Sequence, residues 1–516
     1  MHCRTKFLAA LALAGAASVA GAQTLRVGLA AAPTSVDPQY YVIGPDAAMA
    51  RNMFDALVNQ NDRQQIVPGL AKSWTAVNDT TWDFQLREGV TFHDGSALDA
   101  QDVIASIARV KLAATNSPSS YAPYVKGIAA VTAAGPLTVR IVTDSPMPLL
   151  PSNLSKIAIL PSELGQTPTA SLNAGKGVVG TGPLRFVSWT PGSEIKLARF
   201  DKYWGTASPW KEVSYRVFTD PNARVASLLA GDVDVIEAVP TASVSTLKRN
   251  TSTKVVALES NRVLYLHMDQ SREISPFAAG PDGKNPLRNA KVRRAISTAI
   301  ARDALIERVM EGLGTPAGQL VPKGYFGYVP ELAPDPYSPD KARALLAEAG
   351  YPKGFDLTFH ATNDRYPNDS LVAQAIGQML TRIGIRTKIV TLPGSVYFSR
   401  ASNLEFSFIM GGAAVETGEA SGVLGPLLET FSPTSGQGNR GRYSSAEFDS
   451  TLRAAKNTID TATRQARLQK ASKIAMSDLG VIPILHLANV WAVRKGLQIE
   501  GRTDGYTLAS NIRPVE

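Results

Sequence analysis

The sequence predicts an α/β protein with mixed β-sheets. Strand-like runs at Phe355–His360, Ile385–Thr391 and Glu405–Met410 alternate with helical segments such as Ser370–Ile383. Such alternation is typical of βαβ units, in which helices cover a largely parallel sheet. A second indication is the stretch 337–358, which contains a complete helix together with the signals that begin and end it.

Residues 337–358 read YSPDKARALLAEAGYPKGFDLT. Ser338 is suited to cap the first turn, and Pro339 stands where a missing N–H costs nothing. Gly350 supplies the left-handed stop, and Pro352 prevents continuation. The apolar residues lie on one face at helical spacing: Ala342, Leu345, Leu346 and Ala349.

The other elements follow from the same two periodicities. Alternation or apolar runs predict strands at Thr24–Leu29, Trp74–Val77, Thr81–Leu86, Val90–Phe92, Leu137–Val142, Leu184–Trp189, Val233–Ile236, Val263–Met268 and Val481–Leu487. Helical spacing predicts helices at Ala47–Val58, from Asp99 to Val110, at Pro221–Ala230, Val292–Ile300, Ala304–Glu311 and Val423–Phe431, and over much of Ser445–Met476.

The N-terminus has the features of a cleavable export signal. Arg4 and Lys6 precede an apolar run from Phe7 to Val19, and Ala20-Gly21-Ala22 fits the preference of signal peptidase. The run is shorter than the roughly 20 residues of a spanning helix. Removal of residues 1–22 also removes Cys3, the single cysteine, which suits an oxidising compartment. We therefore expect a periplasmic protein of the Gram-negative type.

Composition and motifs argue against several function classes. The 53 basic and 44 acidic residues give a net charge of +9, but the charges are dispersed, so a nucleic-acid partner is not expected. Phosphate-binding, serine-hydrolase and zinc-protease motifs are absent from the sequence. The five histidines are scattered, so neither a metal site nor a cofactor is predicted. We expect a protein that is not an enzyme.

Eight segments resemble, in order, the solute-binding proteins of peptide/nickel-type ABC importers. This is bacterial extracellular solute-binding protein family 5, which includes dipeptide-, oligopeptide- and glutathione-binding proteins. The segments are Ser35–Pro38 (SVDP), Leu86–Gly95 (LREGVTFHDG), Gly180–Trp189 (GTGPLRFVSW), Pro221–Asp234, Lys291–Arg302, the helix at 337–358, Arg442–Ser444 (RYS) and Val481–Leu485.

The resemblance implies a two-lobed periplasmic-binding-protein fold with a hinge between the lobes and an extra inserted subdomain. Lobe I would comprise residues 23–58, 174–266 and 488–516; the inserted subdomain, 59–173; and lobe III, 267–487. Closure of the lobes around a ligand buries it and presents a closed shape to a partner. The implied partners are a small peptide-like ligand and an inner-membrane ABC permease with its ATPase, and a monomer is expected.

The segment Gly411–Ser421, GGAAVETGEAS, departs from the usual pattern of peptide-binding relatives. They carry a Trp and two aspartates here, one of which pairs the peptide's amino group. This chain has Glu416, Thr417 and Glu419 instead, which resembles the T-G-E-A passage of the glutathione-binding branch. Either these residues contact the ligand, or Glu419 and Ser421 serve only the first turn of the following helix.

Arg365 and Tyr366 are the second pair of candidates. They stand in a polar loop after a predicted strand, where α/β folds place ligand-binding groups. A guanidinium is suited to bidentate capture of a carboxylate, and some peptide-binding relatives use an arginine hereabouts. The alternatives are an exposed arginine on a connecting loop and a tyrosine that only covers that loop.

Five further residues are weaker candidates. Tyr40 and Tyr41 follow the SVDP turn and either wall the cleft or pack elsewhere. Asp269 stands near the lobe crossing, where it could fix the hinge. Arg440 lies in a glycine-rich stretch and could meet a second carboxylate, whereas His486, on an apolar strand, has the alternative of a satisfied interior histidine.

The leading functional prediction is a periplasmic receptor that delivers a small peptide or peptide-like solute to a permease, with a glutathione-like peptide as the first candidate. A binding protein for a nickel or other metal chelate, or for haem, is the alternative. A secreted hydrolase is the third reading, and Glu416 and Glu419 are too close in one loop to match a glycosidase pair.

Overall fold

The computed structural model describes residues 24–117 and 119–515. The predicted signal peptide, residues 1–22, lies outside them. The strands are β1 Thr24–Leu29, β2 Val58–Gln60, β3 Ile66–Pro68, β4 Ala71–Asn78, β5 Thr81–Leu86, β6 Ile128–Gly135, β7 Thr138–Thr143, β8 Leu184–Thr190, β9 Glu194–Arg199, β10 Glu212–Val217, β11 Val235–Ile236, β12 Thr253–Met268, β13 Ala278–Ala279, β14 Gly314–Pro316, β15 Asp356–Thr362, β16 Arg386–Leu392, β17 Phe408–Ala414, β18 Ile482–Arg494, β19 Leu497–Ile499 and β20 Ile512–Pro514.

The α-helices lie between these strands. They are α1 Gly44–Met53, α2 Ala100–Ala113, α3 Ala122–Val125, α4 Leu150–Leu154, α5 Thr169–Asn173, α6 Pro221–Ala230, α7 Thr241–Arg249, α8 Ala290–Thr298, α9 Arg302–Val309, α10 Pro339–Glu348, α11 Asp369–Arg382, α12 Gly394–Ser402, α13 Ser421–Leu428, α14 Ala446–Lys456 and α15 Thr461–Ser477. Across the described ranges, none of these helices has the length and apolar character needed to cross a bilayer.

The largest sheet in the described residues is a mixed sheet of twelve strands. Its order is β13-β15-β17-β12-β18-β11-β1-β10-β9-β8, with β14 beside β18 and β16 beside β15. A separate antiparallel sheet, β4-β5-β7-β6, lies in the segment that the sequence predicted as an inserted subdomain. The predicted mixed α/β class is therefore confirmed.

Strands β12 and β18 run through both halves of the large sheet. Thr253–Glu259 pair with Ala488–Arg494, and the pairing resumes at Val263 and His486 after a register shift. The second half of β12 pairs with β17, whereas the end of β18 pairs with β11. The two strands thus connect one group of strands to the other. Their irregular pairing lies where they pass from one group to the other.

Each part of the chain has its own apolar core. One core lies between β1, α1 and β10, and another lies beneath the four-stranded sheet. Two more cover the faces of the sheet around β12, β15 and β17. Because the cores are separate, a cleft can lie between them without dividing any one core.

The segments that resemble family motifs have structural roles. In the SVDP turn, Asp37 receives hydrogen bonds from both terminal nitrogens of the fully buried Arg109, at 2.7 and 3.0 Å. The GTG segment packs directly on the end of α1, where a Cβ at Gly180 would lie 2.3 Å from the carbonyl oxygen of Met53. Helix α10 has the predicted cap, with Lys341 N donating to Ser338 Oγ, and Gly350 has a φ of 93°.

Candidate functional site

A cavity of about 580 Å³ lies between the group of strands around β1 and the group around β15. We call it the main chamber. Its walls come from α1, the strand end at Glu237, the middle of β18 and the loop 365–368. Its size and its position between two separate cores are those of a site for a small ligand.

A smaller cavity of about 230 Å³, which we call the side chamber, opens off the main chamber. The two share four lining residues: Gly44, Arg262, Asp504 and Tyr506. The side chamber is also lined by Arg51 from α1, by Lys156 from the segment after α4 and by Glu416 from the loop after β17. Three distant parts of the chain therefore contribute charge to one small space.

Arg365 and Tyr366 line the main chamber at the carboxyl end of β15. The buried Asp369 holds this loop, because its Oδ2 accepts from Arg365 N at 3.0 Å, Tyr366 N at 3.2 Å and Thr362 Oγ1 at 2.6 Å. The Arg365 guanidinium is exposed and lies 5.3 Å from the centre of the Tyr366 ring. Tyr366 itself is buried and packs in the core, with its hydroxyl donating to the carbonyl oxygen of Gly412 at 3.3 Å.

The loop 365–368 reaches across the mouth of the main chamber. Asn368 Nδ2 donates to Thr241 Oγ1 at 3.0 Å and to the carbonyl oxygen of Val309 at 2.6 Å. Thr241 begins α7, which belongs to the other side of the cleft. This hydrogen bond joins the two walls beside Arg365.

The glutamates of the loop after β17 face different spaces. Glu416 lines the side chamber, and its carbonyl oxygen accepts from the amides of Gln60 and Gln64, both at 3.2 Å. Gly418 then turns the chain away with a φ of 77°. Thr417 and Glu419 consequently line another cavity, of about 900 Å³, which we call the outer cavity.

Glu419 is engaged within the protein. Its Oε2 lies 3.5 Å from a guanidinium nitrogen of Arg464, and its Oε1 accepts from the Ser421 hydroxyl at the start of α13. Burial raises the pKa of the Glu419 carboxyl. The interactions are those expected of a residue that serves the first turn of the helix.

The five weaker candidates line neither chamber. Tyr40 and Tyr41 are half-buried beside the SVDP turn, and Tyr40 accepts at its carbonyl from the Ser117 hydroxyl. Asp269 is buried and paired with Arg272. Arg440 contacts Ser402 and Phe398, and burial lowers the pKa of His486 to about 4.

Four cationic side chains of the cleft have no carboxylate partner. In the described part of the chain, Arg51, Lys156, Arg262 and Arg365 form no ion pair, and neither does Glu416. The other acids of the cleft are satisfied internally. Asp504 is paired with Arg502 at 2.7 Å, and Glu237 accepts from Thr507 Oγ1 at 2.6 Å and Ala30 N at 2.9 Å.

Lys156 is the most perturbed of the cations. Burial lowers the pKa of its ammonium to about 8, reinforced by Arg51 and opposed by Glu416. Its Nζ donates to Gln60 Oε1 at 2.7 Å, and the same amide donates to the Glu416 carbonyl. A partly buried ammonium with a single neutral acceptor is poorly compensated, which favours an incoming anion.

The sequence analysis did not identify Arg51, Lys156 or Arg262 as candidates. Two signals were available. Lys156 is the single charge in the apolar run Leu154–Pro161, and Arg262 lies in a polar stretch just before the apolar half of β12. Neither signal indicates that the residues meet, because more than 100 positions separate them.

With respect to metals, the described ranges bring no three His, Cys, Asp or Glu side chains together in a way that could hold an ion. His267 and His360 are buried in lobe cores, and burial lowers their pKa values to about 3 and about 4. Neither lines the main or the side chamber.

Comparison with known proteins gives consistent matches. A family model described as "Bacterial extracellular solute-binding proteins, family 5 Middle" matches residues 65–434. The glutathione-binding protein GsiB of Salmonella paratyphi A is 30% identical over 501 residues, which is 93% of each chain.

Two solved structures are similar in fold. HbpA2 from Haemophilus parasuis matches with a TM-score of 0.80 at 24% identity, over 96% of this chain and 100% of the other. The periplasmic murein tripeptide-binding protein MppA, in an unliganded open form, matches with a TM-score of 0.79 at 23% identity, over 96% and 98%. The fold is that of the two-lobed periplasmic binding proteins.

Proposed function

This chain belongs to the bacterial extracellular solute-binding proteins of family 5, the binding components of ABC importers, and from that premise we propose that it captures a small anionic peptide of the glutathione type. The proteins of this family are transport components that work with ABC permeases. We propose that this chain acts as a monomer without catalytic turnover, after export to the periplasm and removal of residues 1–22.

One observation supports this ligand class above all. The cleft is lined by four cations that have no ion-pair partner in the described residues. Of the acids there without an ion pair, Glu237 and Asp55 accept hydrogen bonds within the protein, which leaves Glu416. Glutathione carries two carboxylates and one ammonium, so the unpaired cations would bind its carboxylates and Glu416 would bind its ammonium. A relative that is 30% identical is named as a glutathione-binding protein.

We assign the lobes as the sequence suggests. Residues 23–58, 174–266 and 488–516 would form lobe I, and residues 267–487 would form lobe III. The register shift between Glu259 and Val263 supports a hinge at this crossing, because irregular pairing bends a strand. Arg365 would then approach the ligand from lobe III, and Arg51 would approach it from lobe I.

Of the remaining candidates, Glu416 and Tyr366 stay in the proposed site because they line its chambers. Arg365 is assigned to a ligand carboxylate, since an unpaired guanidinium at the mouth of a cleft is suited to bidentate capture. Thr417 and Glu419 lie in the outer cavity, so we leave them out of this site.

Native mass spectrometry of the protein purified from its own periplasm tests the ligand class. We expect a bound mass that dissociates on denaturation and that corresponds to glutathione or a peptide of similar charge. A bound metal chelate or haem would instead establish the alternative class. Incubation with glutathione that released cysteinylglycine or any other product would refute the absence of turnover.

A further inference from the structure

Two kinds of small peptide would meet the charges of the side chamber differently. The chamber is lined by three cations without an ion-pair partner among the described residues, Arg51, Lys156 and Arg262. Of its acids, Glu416 has no partner for its carboxylate in the same part of the chain, whereas Asp55 accepts hydrogen bonds from Thr181 and Trp204. An ordinary peptide presents its ammonium at one end and its carboxylate at the other. A γ-glutamyl peptide presents both on the same carbon atom, as a free amino acid does.

We infer that the side chamber binds the α-amino-acid head of a γ-glutamyl peptide, with the head's carboxylate at Lys156 and Arg262 and its ammonium at Glu416. This inference rests on the proposed function and narrows the ligand class. The remainder of the peptide would extend into the main chamber, where Arg365 meets the second carboxylate.

The contacts around Gln60 support this arrangement. Its side-chain amide accepts from Lys156 Nζ at 2.7 Å and donates to the carbonyl oxygen of Glu416 at 3.2 Å. A single rigid amide therefore fixes the cation and the segment carrying the acid on the same wall. The two charges are close enough to affect each other but are not in contact, since Glu416 raises the pKa of Lys156 without forming an ion pair.

The side chamber also has aromatic walls, which suit a compact charged group such as the α-amino-acid head. Tyr121 and Tyr124 line it, and their rings lie 6.1 Å apart. Burial raises the pKa of Tyr124 to about 12, so its phenol stays neutral. Arg51 lies 5.7 Å from the Tyr506 ring, at the opening towards the main chamber.

Low dielectric strengthens these interactions. Burial lowers the pKa of the Lys156 ammonium to about 8, and a carboxylate in contact with it would raise that pKa again. A charge with one neutral hydrogen-bond partner gains more from a bound anion than a solvated surface lysine does.

Three ligands titrated calorimetrically into the ligand-free mature protein test the inference. They are glutathione, γ-aminobutyryl-cysteinylglycine, which lacks the glutamyl carboxylate, and glutaryl-cysteinylglycine, which lacks the ammonium. We expect each deletion to weaken binding by about tenfold or more, as the loss of a charge-assisted hydrogen bond predicts.

Single substitutions test which residue accounts for each loss of affinity. Lys156→Met should weaken glutathione binding about tenfold and should reduce the preference for glutathione over the decarboxylated analogue to the part that Arg262 supplies. Glu416→Gln should abolish the preference for glutathione over the glutaryl analogue. Arg365→Ala should weaken all three ligands by the same factor, because it meets the carboxylate that they share. Lys291→Met, on an exposed ion pair far from the cleft, is the matched control and should change nothing.

The outcomes are separable. Equal affinity of the wild-type protein for all three ligands would overturn the inference about the head and leave the proposed function standing, and this comparison requires no variant to fold. Undiminished discrimination in both Lys156→Met and Glu416→Gln would also overturn it. Failure of glutathione to bind the wild-type protein would refute the proposed function and the inference together.

Discussion

Replacing Lys156 with methionine should stabilise the ligand-free protein while impairing capture of the ligand. In the folded protein the pKa of Lys156 falls from 10.5 to about 8. That difference corresponds to about 3 kcal/mol of unfavourable free energy whenever the ammonium is charged in both states. Methionine has a similar length and carries no charge, so it removes this cost.

The stability gained in Lys156→Met is reduced by the loss of the hydrogen bond that Lys156 makes. The hydrogen bond from Nζ to Gln60 contributes about 1 kcal/mol. Lys156 is also only half-buried, and water in the chamber screens part of the cost. We therefore expect the free energy of unfolding at pH 7 to rise by about 1 kcal/mol in Lys156→Met, as seen when other poorly compensated charges are replaced by apolar residues.

The effect should depend on pH with a defined sign. The folded-state pKa is lowered, so the cost is fully present below pH 8 and disappears as the pH rises from about 8 to 10.5. The charged groups that affect the pKa of this lysine are Arg51, Glu416, Asp504 and Arg502.

Urea denaturation of the ligand-free wild-type and variant proteins at pH 7 and pH 10 provides the measurement. The variant should be more stable at pH 7, and the difference should shrink at pH 10. Lys291→Met, whose side chain is 53% exposed, should show no difference at either pH. A Lys156→Met protein that is less stable than wild type at pH 7, or a difference that does not change with pH, would refute the reasoning.

Three further predictions concern binding and stability. Arg365→Ala should raise the dissociation constant for glutathione by about tenfold to a hundredfold, as expected for lost hydrogen bonds to a charged group, whereas Arg440→Ala should leave it unchanged in the same titration. Glu419→Ala should lower the free energy of unfolding by roughly 3 kcal/mol, because it leaves the largely buried Arg464 without its carboxylate partner. A loss of glutathione affinity with normal stability would instead place Glu419 in the ligand site. Asp37→Ala should lower the free energy of unfolding by roughly 3–5 kcal/mol, because it leaves Arg109 as an unpaired buried charge. Replacement of the exposed Asp79 with alanine should have no effect. A thermal melt of the Asp37 variant equal to that of wild type would contradict the proposed scaffold role of the SVDP turn.

The elements that depend on local signals could be predicted from the sequence. Helix α10 begins and ends as expected because a serine cap, a proline and a glycine fix both ends within a dozen residues. Helix α11 lies one residue from its predicted bounds at each end.

Elements that depend on distant pairing were predicted less well. Strand β12 was expected at Val263–Met268 but begins at Thr253, because pairing with β18 makes a strand of a polar segment. Helix α1 was expected to reach Val58 but ends at Met53. The following Asp55 instead accepts from Thr181 Oγ1 and Trp204 Nε1, and Val58 enters β2.

The candidate site could be predicted from the sequence only in part. The position of Arg365 after a strand favoured a place near the cleft, since the carboxyl ends of strands in α/β folds line ligand sites. Arg365 lines the main chamber, and its contact with a ligand stays a prediction. The division of the loop at Gly418, with Glu416 in the side chamber and Glu419 in the outer cavity, depends on Gln64 and Arg464, which are distant in sequence. The convergence of Arg51, Lys156 and Arg262 likewise requires the folded chain.

A crystal structure of the protein with glutathione tests the central claim most directly. We predict the glycyl carboxylate within hydrogen-bonding distance of the Arg365 guanidinium, and the glutamyl head in the side chamber between Lys156 and Glu416. Glutathione bound in the outer cavity beside Thr417 and Glu419, or bound in the cleft without contact to either Lys156 or Arg365, would contradict it.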